Sequence, residues 1–195
     1  MFQDLDKTLE ELLIQKVPDY NSNIDIKNID IKFELPNQDW ESKLQKAATI
    51  NLFLYDIREN LELRSNERFL TRNGVTGTET LAPVRMDLSY MITVWTKEIA
   101  DEHRLLGSIL KTLLCYPTLP TEVLQGEMKQ SLPLRAWVTQ PEKTPNTWDF
   151  WSSLDGRLKA GLSYMVTVPV QPFAPVEVPL VTEKVIKLKY EREFS

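Results

Sequence analysis

The 195-residue chain has little of the residues that build metal sites and disulfide frameworks. Its one cysteine, Cys115, has no second thiol to pair with, and its one histidine, His103, leaves few ligands for a zinc site. Lysine and arginine number 23 against 28 acidic residues, a net charge of −5, whereas a general nucleic-acid binder needs a basic surface. The composition thus argues against metal, disulfide and nucleic-acid proteins and names no function.

Long hydrophobic runs and targeting segments are also missing. The longest stretch without a charged residue spans 160–176, and its three prolines would break a membrane helix. The first residues have neither the basic nor the apolar segment of a secretory signal. We therefore expect assembly in the cytoplasm and no direct membrane insertion.

Acidic residues are concentrated at the start of the chain. Residues 1–41 hold ten Asp and Glu against four Lys, a net charge of −6. Such an asymmetry can steer docking onto a basic partner. An acidic solvated helix followed by an edge strand explains the same pattern, and the sequence leaves both readings open.

Hydrophobic periodicity predicts a single α+β domain. Apolar residues three and four apart predict two main helices, and a third, brief helix fits between Thr147 and Gly156. Runs with one apolar face, or with both faces apolar, predict five or six strands. These would form a mixed or mainly antiparallel sheet with the two main helices packed on it. The first predicted helix runs from residue 2 and ends before Pro18, the second has Asp101 and Glu102 in its first turn and ends before Pro117, and the third spans 147–154. The predicted strands are 29–35, 49–57, 86–94, 132–138, 162–170 and 183–191.

Three connecting segments carry their own predictions. A near-duplication over 23–32 predicts a turn or bulge at Lys27-Asn28, and residues 65–81, with few large apolar side chains, are interpreted as a mobile loop. The proline-rich stretch 171–181 is interpreted as a semi-rigid linker. We therefore divide the chain into a domain over 1–170 and a C-terminal arm over 171–195.

No catalytic constellation emerges from the sequence. Asp101-Glu102-His103-Arg104 would lie on one helix, where neighbouring side chains point in different directions and cannot converge on one atom. Cys115 follows an apolar helix and is predicted to be a packed thiol. No phosphate-binding glycine loop or nucleophile elbow occurs. We therefore predict no catalytic, cofactor-binding or metal-binding residues, no cofactor, and a protein that is not an enzyme.

Four segments are distinctive when they are taken together in order: Leu54–Asn60 (LYDIREN), Arg85–Tyr90 (RMDLSY) with Thr93 and Trp95, Asp101–Gly107 (DEHRLLG), and Leu162–Tyr164 leading into Val166–Pro169 (VTVP). In these segments the chain resembles the cap, or tail-terminator, proteins of phage-tail-like contractile injection systems of the antifeeding-prophage type. The resemblance extends from the first helix to about residue 170.

The resemblance implies a structural protein. Members of this family form a six-fold ring that closes the distal end of the inner tube and contractile sheath and helps to fix particle length. The implied partners are further copies of the chain, as a homo-hexamer, and the tube and sheath proteins of the same particle, which is released or tethered to a membrane. No nucleic acid and no catalytic residue are implied.

Two groups of residues are the candidate interface. Arg58, Glu59, Asn60 and Arg64 follow a buried strand, where polar groups are free to meet a partner, although internal salt bridges explain the arginines equally well. The second group lies on the last predicted strand, which either adds to a neighbour's sheet or folds back on its own: Ile186, Leu188 and Tyr190.

Two other functions remain open at this stage. One is a monomeric α+β module that binds a small molecule or lipid without catalysis. The other is a hydrolase that uses Asp87 or His103 in a cleft.

Overall fold

The computed structural model describes residues 1–18, 29–37, 40, 42, 44, 48–74, 76–130, 133–140, 146–154, 158–180 and 186. The helices are α1 (Phe2–Lys16), α2 (Ile99–Cys115) and α3 (Thr147–Ser153), with short 3₁₀ turns at Leu61–Leu63, Thr121–Val123 and Gly126–Gln130. The strands are β1 (Asp30–Lys32), β2 (Ala48–Glu59), β3 (Arg68–Asn73), β4 (Thr76–Leu81), β5 (Val84–Thr96), β6 (Arg135–Val138), β7 (Gly161–Val170) and β8 (Val176–Pro179).

Five strands form the main sheet in the order β1-β2-β5-β7-β6. Only the β1–β2 pair is parallel, and the other neighbours run antiparallel. The three central strands, β2, β5 and β7, have 12, 13 and 10 residues and supply most of the pairing. The predicted α+β class, with a mixed sheet and two main helices, is confirmed.

The core lies between one face of this sheet and the helices α1 and α2. On α2 the column Leu105, Ile109 and Leu113 is buried against the sheet, as its spacing predicted. The sheet supplies alternate residues of β5 and β7 to the same cluster, and α1 adds four leucines: Leu5, Leu9, Leu12 and Leu13. Each fully buried side chain of this kind contributes roughly 1.5–3 kcal/mol, so this layer holds the fold together.

The opposite face of the sheet is covered only in part by the described elements. Phe150 and Trp151 of α3 pack on Met91, with Phe53 and Tyr55 of β2 beside them. The rest of this face carries polar side chains on β5 and β7 and borders open clefts. This half-covered face positions the candidate site described below.

A β-bulge decides which side chains of β2 reach that face. The register with β5 shifts between Leu54 and Asp56. Beyond the bulge Asp56 pairs with Ser89 and Arg58 pairs with Asp87, so Asp56 and Arg58 lie on the face opposite the α1–α2 core. An uninterrupted strand would place them on the core side, because side chains alternate with a period of two.

The interpretation of residues 65–81 as a loop was wrong. They contain the hairpin β3–β4, and β8 adds to β4 to complete a second, three-stranded antiparallel sheet. The missed signals are Asn73-Gly74 between two threonine-containing runs, a hairpin turn signature, and Gly74 adopts the positive φ of 68° that such a turn uses. Large apolar residues are sparse there because every residue of β3 is exposed.

The second sheet also includes part of the predicted C-terminal arm. Residues 176–179 pair with β4 of their own chain, so this part of the predicted linker is a strand. Ile186 is exposed. The turn predicted at Lys27-Asn28, the remainder of the strand predicted over 183–191, and the interface candidates Leu188 and Tyr190 lie outside the described residues.

The prediction that Cys115 is a packed thiol was wrong, because the residue is exposed. It ends α2 next to Leu114, which is 61% exposed. The apolar stripe predicted for this helix is thus broader than the surface that the sheet covers. In the last turn of α2, Leu114 therefore lies largely in solvent beside the buried column.

Asp6 joins α1 to the sheet through a hydrogen bond that Tyr90 donates to it at 2.8 Å. Partial burial raises the pKa of the Asp6 carboxyl, and the Tyr90 hydrogen bond offsets part of that increase. As pH rises above about 4, the Asp6 carboxyl therefore ionises in the unfolded chain before it ionises in the folded protein. The free energy of unfolding falls over this range and becomes constant once pH exceeds the folded pKa.

We expect Asp6→Asn to remove this pH dependence, since the amide oxygen can still accept from Tyr90 and cannot ionise. The variant should gain stability relative to the wild type as pH rises from 4 toward neutrality, as measured by urea denaturation at several pH values. A constant difference between the two proteins across that range would contradict the assignment.

Gly126 begins a 3₁₀ turn beneath α1, with a φ of 52°. An added Cβ would collide with the Asp4 carboxylate, and an L-residue with positive φ costs about 1–2 kcal/mol in addition. We expect Gly126→Ala to lower the free energy of unfolding by roughly 2 kcal/mol or more. Gly107→Ala is the matched control: it lies inside α2 with open space around it and should stabilise the protein by roughly 0.5–1 kcal/mol. Equal effects in urea denaturation would contradict the reasoning.

A candidate protein–protein interface at the hairpin end

Exposed apolar side chains are concentrated at one end of the molecule. Of the 13 large hydrophobic residues exposed in the described part of the chain, seven lie within residues 57–70 and 173–176: Ile57, Leu61, Leu63, Phe69, Leu70, Phe173 and Val176. We call this region the hairpin end and define it as residues 56–64, the β3–β4 hairpin and residues 173–180. A concentration of this kind is typical of interaction sites, so the hairpin end is the candidate interface.

The segments of the hairpin end contact one another. A groove of about 130 Å³ is lined by Glu59 and Arg64 on one side, the base of the hairpin, and Phe173. Gly77 of β4 lies against Leu70 of β3 and Leu180, leaving no room for a Cβ atom, which would stand 2.8 Å from Leu70 Cδ1. The three segments therefore form one surface rather than three separate projections.

One face of the small sheet carries both apolar and charged residues, and β3 is its edge strand. The register places Leu70, Glu79 and Val176 in one row and Arg72, Gly77 and Val178 in the next, so the valines and Leu70 share a face with charged side chains. β3 is an edge strand, and within the described ranges no strand pairs with its outer side. An exposed edge with exposed apolar residues is a surface at which another chain can add.

Three predicted interface residues come together here, in two ion pairs. Arg58 Nε lies 2.6 Å from Asp56, and Arg64 Nε lies 3.0 Å from Glu59. Both guanidiniums remain largely in solvent, with 78% and 63% of the side chain exposed. The internal salt bridges that the sequence left open thus exist, and at this exposure each contributes about 0–1 kcal/mol.

Asn60, the fourth residue predicted at this strand end, is only 7% exposed. Its Nδ2 donates to both carboxylate oxygens of Asp87, at 3.1 and 3.0 Å, and its Oδ1 accepts from the backbone N–H of Leu63 at 3.1 Å. Thr167 Oγ1 donates to the same carboxylate. Asn60 therefore fixes the 61–63 turn to β5 and β7 from inside, and its role as an interface residue stays a prediction.

Two clefts flank the 61–63 turn on the half-covered face. One, of about 270 Å³, is lined by four acidic residues and Arg58: Asp56, Glu59, Glu62 and Asp87. The other, of about 370 Å³, contains Arg85 and Arg135. No sequence pattern indicated either cleft, because the strands β2, β5, β6 and β7 that bring these residues together are distant in sequence.

The polar residues of the segment 101–104 do not converge on one atom. Asp101 pairs with Arg104 at 3.2 Å, Glu102 is buried beside Lys159, and His103 is exposed. No group of three possible metal ligands occurs among the residues that the structure describes. None of the described helices has the length and apolar character needed to span a membrane.

Comparisons with known proteins identify what this chain is similar to. The family described as the Pvc16 N-terminal domain matches residues 4–183. The solved sheath/tube terminator of PVC, an extracellular contractile injection system, in its extended state is 26% identical with a TM-score of 0.70, over 100% of this chain and 65% of that one. The solved tube-terminating cap of the anti-feeding prophage is 24% identical with a TM-score of 0.69, over 96% of this chain and 62% of that one. This chain therefore spans less than two thirds of either protein. No curated protein matches it in sequence.

Proposed function

Because the chain belongs to the Pvc16 N-terminal domain family, we propose that it is a structural cap of a contractile injection system, which binds the distal end of the tube and sheath and terminates their assembly. The observation that carries this proposal is the likeness of the whole chain to a sheath/tube terminator, at 26% identity and a TM-score of 0.70. Such a protein acts by occupying a surface on which further subunits would stack, and makes or breaks no bond.

The proposed partners are further copies of the chain and the tube and sheath proteins. A closed ring, a hexamer in this proposal, requires two different complementary patches on each subunit. The hairpin end supplies one patch of exposed apolar and charged side chains. The segment that contains Ile186, Leu188 and Tyr190 is proposed as the second, added to a neighbour's sheet edge. Assembly would take place in the cytoplasm.

The monomeric ligand-binding alternative is set aside. The two clefts beside the 61–63 turn are open grooves with charged side chains in their linings, whereas small-molecule sites are mostly enclosed and apolar. The hydrolase alternative is set aside as well, because Asp87 is tied into the network with Asn60 and Thr167 and His103 lies alone on the outside of α2.

The test is negative-stain microscopy of particles made with and without this chain. We expect tubes and sheaths of variable, extended length in its absence and uniform length when the full chain is restored. Particles of normal, uniform length without the chain would refute the proposal. Light scattering of the purified chain, alone and with tube, separates a ring from a monomer.

Charge reversal at the hairpin end gives a second expected result. Arg58→Glu with Arg64→Glu should weaken capping and shift Tm by only a few degrees, because both side chains are exposed and their internal ion pairs contribute about 0–1 kcal/mol each. The measurements are particle length and thermal denaturation. An equal loss of stability and capping would instead make them residues of the fold.

A further inference from the structure

One cleft on the half-covered sheet face is basic and partly apolar in a chain whose net charge is −5. It has a volume of about 370 Å³ and lies beside the 61–63 turn. Leu63 and Pro133 supply its apolar walls, and Thr167 and two arginines, Arg85 and Arg135, supply the rest of its lining.

The strand register explains why the two arginines share this cleft. Arg85 of β5 pairs with Pro169 of β7, and Arg135 of β6 pairs with Thr167 of β7, so both arginines lie on the same face of the sheet. Their Cα positions are two strands and one side-chain repeat apart, about 10–12 Å, which is within the combined reach of two arginine side chains.

Neither arginine has an acidic partner in the described part of the chain. The ion pairs of this region use other residues, namely Arg58 with Asp56 and Arg64 with Glu59. The buried Asp87 on the same face accepts hydrogen bonds from Asn60 and Thr167, among its interactions. Within the described ranges, two guanidiniums thus line a concave surface with no ion pair to a carboxylate.

We propose that this cleft binds an acidic segment of another protein of the particle, whose carboxylates pair with Arg85 and Arg135 while an adjoining apolar side chain packs against Leu63 and Pro133. The inference rests on the proposed capping function and assigns a partner chemistry to it. Guanidinium–carboxylate pairs form two parallel, charge-assisted hydrogen bonds, which makes arginine well suited to bind a carboxylate.

The surroundings favour an acidic protein segment over a nucleic acid. A polyanion would extend past two arginines, and the cleft on the other side of the 61–63 turn presents Asp56, Glu59 and Glu62, which would repel its phosphates. The apolar walls also have no role in binding a free phosphate ion. A short acidic stretch bordered by an apolar residue satisfies both parts of the lining.

The experiment uses the full chain with Arg85→Gln and Arg135→Gln together, which keep side-chain size and remove the charge. Arg104→Gln with Lys111→Gln is the matched control, since those cations lie exposed on α2, across the sheet. Binding to purified tube and to purified sheath of the same particle is measured by cosedimentation at low and high salt.

We expect the cleft variant to bind at least about tenfold more weakly and with a flatter salt dependence, and the control to bind as the wild type does. Thermal denaturation should find both variants folded. Wild-type binding by the cleft variant would overturn the inference, as would an equal loss in the control.

A second probe separates failure of this inference from failure of the proposed function. A fluorescein-labelled hexaglutamate peptide is titrated with the full chain and followed by anisotropy. Peptide binding that depends on both arginines, with no wild-type binding to tube or sheath, would refute capping and keep the acidic site. Absence of both kinds of binding would refute both.

Three other outcomes would also overturn the inference. Tighter arginine-dependent binding of a single-stranded DNA oligonucleotide than of the peptide would assign the cleft to nucleic acid. Displacement of the peptide by inorganic phosphate at low concentration would assign it to a free anion. Loss of self-association alone, with tube and sheath binding intact, would assign it to a second copy of the chain.

Discussion

Replacing Phe69 and Leu70 of β3 with serine is expected to abolish capping while the main sheet keeps its stability. The two side chains are 55% and 52% exposed in the single chain, so their loss removes little buried surface from the fold. If the hairpin end is covered in the assembled particle, each becomes a buried apolar contact, and central contacts of this kind contribute about 2 kcal/mol or more to binding. Together they predict a loss of affinity of at least about a hundredfold.

Particle length and cosedimentation with tube and sheath measure this effect, and thermal denaturation measures the cost to the fold. A shift in Tm of more than a few degrees would show that Leu70 acts mainly through its contact with Gly77 and Leu180. The control is Ile99→Ser with Leu114→Ser, two exposed residues of α2. Full capping by the β3 variant would exclude the hairpin end as an interface.

The second large effect is expected at Asp87, where substitution should damage the fold itself. Asp87→Ala removes the acceptor of hydrogen bonds from Asn60 and Thr167 and leaves both groups buried and unpaired. An unsatisfied buried polar group costs about 1–3 kcal/mol, so we expect the free energy of unfolding to fall by roughly 3 kcal/mol. Urea denaturation at neutral pH measures it.

Asp56→Ala is the matched control for this substitution. Asp56 is an aspartate on the same face, and its carboxylate pairs with the exposed Arg58. Its removal should cost less than about 1 kcal/mol, because exposed ion pairs contribute little. If the two variants lost the same amount of stability, the buried network would have no special role.

Disturbing this network should also weaken capping, through the 61–63 turn that Asn60 positions. We therefore expect Asp87→Ala to lose capping at temperatures at which it is still mostly folded. Retention of full capping by the folded fraction would place the interface away from this turn. Asp87 is in this sense a positioning residue rather than a contact residue.

The sequence by itself determined the family and most of the elements. Four short segments, taken in order, carry the resemblance to tail-terminator proteins, and the match to the Pvc16 N-terminal domain over residues 4–183 confirms it. The leucine spacing of α2 and the alternation on β5 and β7 predicted those elements because each packs one continuous side on the core. The spacing of apolar residues along the chain indicates which side of a helix or strand is buried, and burial is strongest in the centre of the molecule.

Beyond Arg58, Glu59 and Arg64, tertiary structure decided which residues form the candidate interface. The hairpin β3–β4 was missed because β3 is wholly exposed and β4 is mostly half-buried, so that no continuous buried side gave its strands a hydrophobic period. The bulge after Leu54 moved Arg58 to the half-covered face, which uninterrupted alternation could not foresee. The burial of Asn60 was not foreseen, because Asp87, which accepts its hydrogen bonds, lies 27 positions further along the chain. Thr167, which donates to the same carboxylate, is more distant still.

The same reason applies to Arg85 and Arg135, which share a cleft only because β5 and β6 both pair with β7. Patterns along a chain encode which residues leave water during folding. Which polar groups then face one another depends on strand order and register, and these are set by contacts between segments that are distant in sequence.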